Sequence, residues 1–163
     1  MNEGAKLSQA DYYNFIHADV FPPNHFLREI KEIVRKQGFK FGLFSYRMDP
    51  NKGLLKINSF CTRFDGIFCG GGDQCHFVEK ETFENLGQYD NKACIMEDFL
   101  FFDKIKKHKI PYKLINKPAR VSSRKYLHHS YLKVTWYNTI CFIKYKLGKT
   151  PEEIAQTYES VKQ

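Results

Sequence analysis

The sequence predicts an α/β fold, in which helices surround a sheet of short strands and a helical segment follows at the carboxyl end. An aromatic and aliphatic run at residues 12–16 is typical of a buried strand, and two prolines at 22 and 23 force the chain out of it. Apolar residues at helical spacing follow directly. With 163 residues, 42% of them hydrophobic, the chain can bury the core of a single domain. We expect a sheet and helix core over 1–121 and carboxyl-terminal helices over 122–163.

The predicted elements of the first half alternate between helix and strand. A helix over 24–37 is predicted to begin with Asn24 as its N-cap and to end at Gly38. A strand over 39–48 and a turn over 49–53 come next. Residues 1–7 give no clear element. The next segment, over 54–64, is predicted to be a helix with this apolar stripe: Leu54, Leu55, Ile57, Phe60, Cys61 and Phe64.

In the second half, a short strand over 75–79 and a short helix over 80–86 precede a helix over 99–108. Two short extended pieces, broken by Pro111 and Pro118, are predicted for 110–121. A long aromatic helix over 131–147 follows. Thr150 is the predicted N-cap of a last helix reaching about 161, and Glu153 completes a capping box with it.

The helix over 131–147 combines lysines with large apolar residues, among them Trp136, Phe142 and Leu147. Its apolar stripe is predicted to pack on the rest of the domain. The same composition also suits a helix that rests on an anionic lipid surface. Peripheral contact with a membrane is therefore a second interpretation of this helix.

The charge of the chain favours anionic partners. It has 26 basic and 18 acidic residues and a formal charge of +8. Nucleotides, phospholipid head groups and nucleic acid all satisfy such a charge. The sequence has no recognisable recognition helix or RNP-type motif, so we expect no nucleic-acid partner.

The five cysteines suggest a reducing compartment. They are an odd number without close pairing, and residues 1–11 have no apolar segment like that of a signal peptide. We therefore expect reduced thiols and a cytoplasmic protein, with the inner membrane face as a peripheral location. A zinc site made of Cys61, Cys69, Cys75 and His76 is not favoured, because the chain has no C-x-x-C pair.

Acidic side chains follow three predicted element boundaries. His17 and Asp19 end the first strand, and on a strand they would point to the same face, where they could hold a divalent cation or simply cap a loop. Asp73 follows three glycines that let the backbone approach a ligand or serve as a flexible connection. Glu97 and Asp98 open a helix, where they could divide the work of substrate binding and proton transfer or complement the helix dipole.

The order of these motifs resembles that of GT-A glycosyltransferases of family 2, and most closely a small bacterial subgroup. That subgroup carries FLHAD-x-x-x-P, GDQ-x-x-F-x-x-x-x-F, MED and a late S-x-R. The matching positions here are Phe15–Asp19, Gly72–Gln74, Phe77, Phe83, Met96–Asp98 and Ser122–Arg124. The resemblance covers nearly the whole chain and implies a GT-A mixed sheet flanked by helices.

The resemblance implies a hexosyltransferase-type reaction that inverts the anomeric carbon and uses Mn or Mg. Its partners would be a nucleotide-sugar donor and an acceptor hydroxyl, including a lipid-linked one. Asp19 would bind the metal, with His17 as a weaker ligand because hard cations prefer oxygen. The other implied roles are general base for Asp98, donor or acceptor contacts for Asp73, Gln74 and Glu97, and neutralisation of the leaving diphosphate for Arg124 and His128.

The resemblance also implies a departure from the family. Residues 1–5 resemble a segment that lies just before the HAD strand in relatives, whose preceding strands carry the nucleotide site. We therefore expect a truncated domain that lacks the N-terminal nucleotide-binding half and is weakly active or inactive alone. Its uncovered sheet edges would favour a homo-oligomer. The alternative is a non-catalytic binding or assembly module derived from a glycosyltransferase.

Overall fold

A computed structural model describes residues 1–66, 69–93, 95–124, 126 and 130–159. The helices are α1 (Asn2–Leu7), α2 (Phe26–Gln37), α3 (Leu55–Cys61), α4 (Lys80–Asn85), α5 (Glu97–Lys107), α6 (Tyr131–Lys146) and α7 (Pro151–Glu159). The strands are β1 (Tyr12–Phe15), β2 (Val20–Phe21), β3 (Phe41–Asp49), β4 (His76–Glu79) and β5 (Tyr112–Ser122). A single 3-10 turn spans Gly72–Gln74.

The described strands form one mixed sheet in the order β1-β4-β3-β5-β2. The central pair, β3 and β5, is parallel, whereas the β1–β4, β4–β3 and β2–β5 pairs are antiparallel. Helices flank the sheet, and two further helices follow at the carboxyl end. The predicted α/β class with a mixed sheet is therefore confirmed.

Two hydrophobic cores lie on opposite faces of the sheet, because side chains alternate along each strand. Phe41 and Leu43 of β3 face a core that holds residues of α1, α4 and α5. Phe44 and Met48 of the same strand face a second core with residues of α2 and α3. The first core is rich in aromatic rings and includes Phe101 and Phe102 of α5 together with these residues: Tyr13, Phe15, Phe83 and Tyr89.

The strand β5 corrects the prediction of two broken extended pieces over 110–121. It runs without interruption from Tyr112 to Ser122. Ile115 pairs with Phe44, and Ala119 pairs with Tyr46, so β5 advances by four residues while β3 advances by two. Pro118 lies in this bulge, where its missing N–H leaves no gap in the ladder of hydrogen bonds.

The helix α3 is present, but its inner face is not the predicted apolar stripe. Leu55 is buried, whereas Leu54, Ile57, Phe60 and Phe64 are exposed. The buried side of the segment carries hydroxyl groups that bind β3. These groups belong to Ser59, which accepts from the Met48 N–H, and Thr62, which accepts from the Tyr46 N–H and donates to the Tyr46 carbonyl.

The predicted helix caps are confirmed in part, and one helix is present that the sequence does not predict. Gly38 ends α2 with a φ of 65°, as predicted, but His25 rather than Asn24 occupies the N-cap position. The Thr150–Glu153 capping box is confirmed: the Thr150 N–H donates to Glu153 Oε2, and the Glu153 N–H donates to Thr150 Oγ1. Residues 1–7, which give no clear signal, form α1 because tertiary contacts anchor it: Asn2 Nδ2 donates to the Tyr89 carbonyl and Asn91 Oδ1.

The helix α6 departs from the prediction that its apolar stripe packs on the domain. Val134 and Cys141 are buried, whereas Leu132, Trp136, Ile143 and Leu147 are exposed. Among the described residues, none of the helices combines the length and the apolar character that crossing a membrane requires.

Candidate functional site

Four parts of the chain meet in one open cleft of about 460 Å³ beside the carboxyl end of β1. These parts are the turn after β1, the residue before α1, the first residue of α5 and the second residue after β5. The lining residues are Met1, Ile16, His17, Ala18, Asp19, Glu97 and Arg124. The structure thus brings together predicted site residues that are more than 100 positions apart in sequence.

His17 and Asp19 come together for a different reason than the predicted one. β1 ends at Phe15, so alternation along a strand cannot place these two side chains on one face. They lie instead in the turn between β1 and β2, where the Val20 N–H donates to the His17 carbonyl. Possible ligand atoms of His17, Asp19 and Asp73 nevertheless lie within 4.8 Å of one another.

The glycine loop positions Asp73 by close packing. A Cβ on Gly72 would lie 2.2 Å from His17 Nε2 and 2.4 Å from Asp98 Oδ2, so any other residue at 72 would displace both side chains. Gly70, at a φ of 110°, packs against the Phe102 ring, where a Cβ would lie 2.4 Å from Cδ1. The loop therefore packs closely against the site residues and is not merely a flexible connection.

Gln74 lies beneath this loop and not on the cleft surface. Its side chain is fully buried, and its Oε1 accepts a hydrogen bond of 2.7 Å from the Gly70 N–H. The sequence predicts a substrate contact for Gln74, whereas its position in the structure suits the support of the glycine loop. Cys75 follows at a φ of 47°, a left-handed conformation that is costly for a residue with a Cβ.

The two adjacent carboxyl groups open α5. Met96 takes the N-cap position in a left-handed conformation, at a φ of 63°, and turns the chain into the helix. Glu97 borders the cleft, whereas Asp98 is only 5% exposed. Asp98 Oδ2 lies 3.3 Å from His17 Nε2, and Asp98 Oδ1 is buried without a hydrogen-bond partner among the described residues. A buried acceptor of this kind is available to a bound hydroxyl or water.

The electrostatics of the site follow from this packing. The interaction with the Asp98 carboxylate raises the pKa of His17 to about 9, against the opposing effect of burial, and the charges of Asp73 and Glu97 add to the increase. Burial raises the pKa of Glu97, and the neighbouring Asp98 raises it further. The site thus combines the buried carboxyl group of Asp98 with the exposed carboxyl group of Asp19. This difference in environment allows the two groups to have separate roles.

The donor set fits a divalent cation. His17, Asp19 and Asp73 form one possible group of ligands, and His17, Glu97 and Asp98 form another. Two carboxylates with one imidazole suit Mn²⁺ better than Mg²⁺, which prefers oxygen ligands throughout. If the first group binds the cation, Glu97 and Asp98 remain available for substrate binding and proton transfer. Neither group contains a cysteine, so the described residues offer no support for the zinc alternative.

Arg124 supplies the positive charge of the site. It lies two residues after the end of β5, its side chain is exposed at the cleft, and its Nε donates to Ser122 Oγ at 3.2 Å. The Nη groups extend the same guanidinium and suit an anion in the cleft. His128, which the resemblance pairs with Arg124, lies outside the described residues.

Sequence reasoning missed part of the site. Gly72 is essential for space, and only the run of three glycines before Asp73 points to it. Met1 and Ile16 line the cleft without any chemical signature in the sequence. The inclusion of Asp73 among the possible metal ligands depends on tertiary packing, so no local spacing predicts it.

Comparisons of the chain with protein-family models and with curated proteins find no match.

Proposed function

We propose that this chain carries the catalytic site of a divalent-cation-dependent, inverting GT-A glycosyltransferase. The donor would be a nucleoside diphosphate sugar, and the acceptor would be a hydroxyl group, including that of a lipid-linked sugar. One observation carries the proposal: His17, Asp19 and Arg124 line a single cleft, and the carboxyl groups of Asp73 and the buried Asp98 lie next to His17. The order of the HAD, GDQ and MED motifs supports it.

The diphosphate would bind between the carboxylates and Arg124. Asp19, Asp73 and His17 would hold the cation, which would neutralise charge on the diphosphate. Arg124, which lines the same cleft, would contact the diphosphate and stabilise the negative charge that grows as the sugar leaves. The exposed position of Asp19 suits contact with a large, hydrated ligand.

Asp98 would act as the general base. The acceptor oxygen attacks the anomeric carbon, the bond from that carbon to the diphosphate breaks, and its electron pair leaves with the diphosphate. The acceptor proton passes to Asp98, whose buried Oδ1 has no other described hydrogen-bond partner. Glu97 borders the cleft beside it and would hold a second acceptor hydroxyl.

A transfer assay with the Asp98→Asn variant tests this function. The wild-type chain is incubated with Mn²⁺ and a panel of UDP and GDP sugars, and product configuration is read by NMR. We expect slow transfer that gives an inverted product from one donor, and a further loss of about 100-fold or more in kcat for Asp98→Asn. Release of the sugar with retained configuration would contradict the inverting mechanism, and full activity of the variant would contradict the role of Asp98.

One observation favours the alternative, a non-catalytic binding or assembly module of the same fold. Asp98 Oδ2 already contacts His17, so one oxygen of the proposed base is engaged in an ion pair. A module of this kind would use the cleft for binding alone. It predicts that nucleoside diphosphates bind with Mn²⁺ but that no donor in the panel yields product.

We also propose a cytoplasmic location for the protein. Four described cysteines are free, and three of them are buried. Burial raises the pKa of the Cys69 thiol to about 11 and that of Cys75 to about 12, so both are poor nucleophiles at neutral pH. Free thiols throughout the described chain support a reducing compartment.

A further inference from the structure

The helix α6 has apolar side chains on two opposite sides. Val134 and Cys141 point into the protein, and the Cys141 thiol contacts the Ile154 carbonyl of α7. Phe142 and Tyr145 pack against Phe99 at the beginning of α5. These contacts fully account for the inner side, so they leave the opposite side of the helix without an assigned role.

The outer side carries an apolar stripe that runs the length of the helix to its C-cap residue, with the polar Thr139 beside it between Trp136 and Ile143. At 3.6 residues per turn, its members fall within an arc of about 60°. They are Leu132 (69% exposed), Trp136 (65%), Ile143 (51%) and Leu147 (72%). Scattered exposed apolar residues are ordinary on a protein surface, whereas a stripe four turns long that is absent from the packed interior indicates a binding surface.

The flanks of this stripe are basic. Lys133 and Lys144 lie on one side of it and Lys146 on the other, and α6 contains no Asp or Glu. Lys144 Nζ donates to the neutral Thr157 hydroxyl, so its charge is not balanced by that contact. Lys146 pairs with Asp103 at 3.1 Å, but both side chains are about half exposed, and such pairs exchange readily for other anions.

We propose that the outer stripe of α6 seats this protein on the surface of an anionic lipid bilayer. Trp136 and the aliphatic side chains enter the boundary between head groups and acyl chains, and the lysines extend to the phosphates. A second copy of the chain is the competing occupant of the stripe. Two such stripes would bring Lys133 and Lys144 of both copies close together, and α6 has no carboxylate that would compensate their charge, which disfavours that pairing.

The proposal does not depend on the proposed reaction, because none of the stripe residues lines the cleft. The helix α6 nevertheless contacts α5, which contributes to the cleft. Phe99, next to Asp98, contacts Phe142 on the inner side of α6. A bilayer under α6 would therefore lie one helix away from the beginning of α5, where Glu97 borders the cleft.

The fluorescence of Trp136 tests the proposal directly, because it is the only tryptophan in the chain. The wild-type protein is mixed with phosphatidylcholine vesicles, with or without phosphatidylglycerol, and the same samples are floated on a density gradient. We expect a blue shift and co-flotation with anionic vesicles, both weakened by salt. Lys133→Gln should reduce the partition coefficient about fivefold.

Paired serine variants assign the binding to the stripe. Ile143→Ser with Leu147→Ser should reduce partitioning about tenfold or more, because two aliphatic side chains no longer enter the bilayer. Leu7→Ser with Leu27→Ser removes two similarly exposed leucines from α1 and α2 and should bind vesicles like the wild type. Circular dichroism confirms that both variants fold.

Three results would overturn the proposal. The wild type could stay with the aqueous fraction without a blue shift, or the α6 variant could float as well as the control variant. The third is a blue shift of Trp136 that appears without lipid as the protein concentration rises, with a matching dimer in sedimentation. That result would show that a second copy covers the stripe.

Discussion

Gly72 shows how strongly a single position can control this site. It has no side chain, yet the space that it leaves open is where His17 Nε2 and Asp98 Oδ2 lie. The proposed metal ligand and the proposed base thus depend on the same absent Cβ. The backbone fixes where a Cβ at position 72 would lie. A substitution there would therefore require the loop, or both side chains, to move.

We predict that Gly72→Ala inactivates the protein without unfolding it. A Cβ at 2.2 Å from His17 Nε2 displaces the site by about an ångström, and a displacement of this size can cost about 100-fold in kcat/KM. Sugar transfer and Mn²⁺ binding are measured together.

Gly4→Ala is the matched control, because nothing lies within 4 Å of its added Cβ and Gly4 lies within α1. It should keep full activity and gain a little stability from the higher helix propensity of alanine. An active Gly72→Ala variant would show that the site does not need the observed proximity of His17 and Asp98.

The motifs in the sequence predict which residues come together at the site, but they do not predict which of those residues are buried. The motif pattern was sufficient to select His17, Asp19, Asp73 and Asp98, which the structure brings into contact or close proximity. It could not separate Gln74, which is buried under the loop, from residues that border the cleft. Burial is a property of tertiary packing, and a single sequence records it only through periodicity.

At the scale of elements, α3 completes the edge of β3. On β3, only Phe41 and Gly42 pair with β4, so among the described residues no strand lies beside the later part of β3 on that side. Hydroxyl groups of Ser59 and Thr62 fill the role of a strand there. Because hydroxyls rather than methyl groups face the sheet, a hydrophobic pattern assigns the wrong side of α3 to the interior.

We predict that Thr62→Val destabilises the fold by about 1–3 kcal/mol. Thr62 is fully buried, and its hydroxyl accepts from the Tyr46 N–H at 3.1 Å, so valine leaves that N–H without its partner. Urea unfolding measures the change. Thr139→Val makes the same substitution on the exposed side of α6 and should stay within about 0.5 kcal/mol of the wild type. Equal changes in stability for the two variants would contradict the conclusion that the side-chain hydroxyls stabilise the edge of β3.

The capping box of α7 predicts a dependence on acid pH. The hydrogen bond from the Thr150 backbone and the contact with Lys149 lower the pKa of Glu153 below its ordinary value of 4.5. Since a lowered pKa means that the folded state favours the charged form, this contribution is present above pH 4.5 and is lost as pH falls through the lowered value.

Glu153→Gln should therefore be less stable than the wild type at neutral pH, and the difference should shrink as the pH falls below 4.5. Thermal unfolding as a function of pH measures it. Glu152→Gln changes the same charge one position earlier and should show a weaker dependence, because Glu152 is not part of the box. A stability difference that does not vary with pH would exclude the box as its cause.

The elements themselves were predictable where local signals agree with packing, as in α2 and α7. The sequence predicts two pieces in place of β5 because proline normally interrupts a strand, and only the pairing with β3 shows the bulge that accepts Pro118. The beginning of the chain gives no signal for α1 because this helix has six residues and depends on the contacts of Asn2 with Tyr89 and Asn91. Interactions over 80 residues or more of sequence leave no periodic signal.

At the scale of the whole molecule, the sheet, the cleft and α6 form one arrangement. The aromatic core on one face of the sheet holds Phe101 and Phe102, which fix α5 and with it Asp98. α6 packs on the first turn of the same helix through Phe142 and exposes its stripe on the other side. The proposed base therefore contacts His17 of the cleft and is next in sequence to Phe99, which contacts the helix that we expect to contact lipid.

The most direct test of the proposed site is isothermal titration of UDP and GDP into the protein with and without Mn²⁺. We predict binding of one of the two nucleotides that requires Mn²⁺. Asp19→Asn should weaken this binding about tenfold or more, because it removes a ligand charge, whereas Asp98→Asn should bind like the wild type. The absence of Mn²⁺-dependent binding in the wild type, or unchanged binding in Asp19→Asn, would contradict the proposed site.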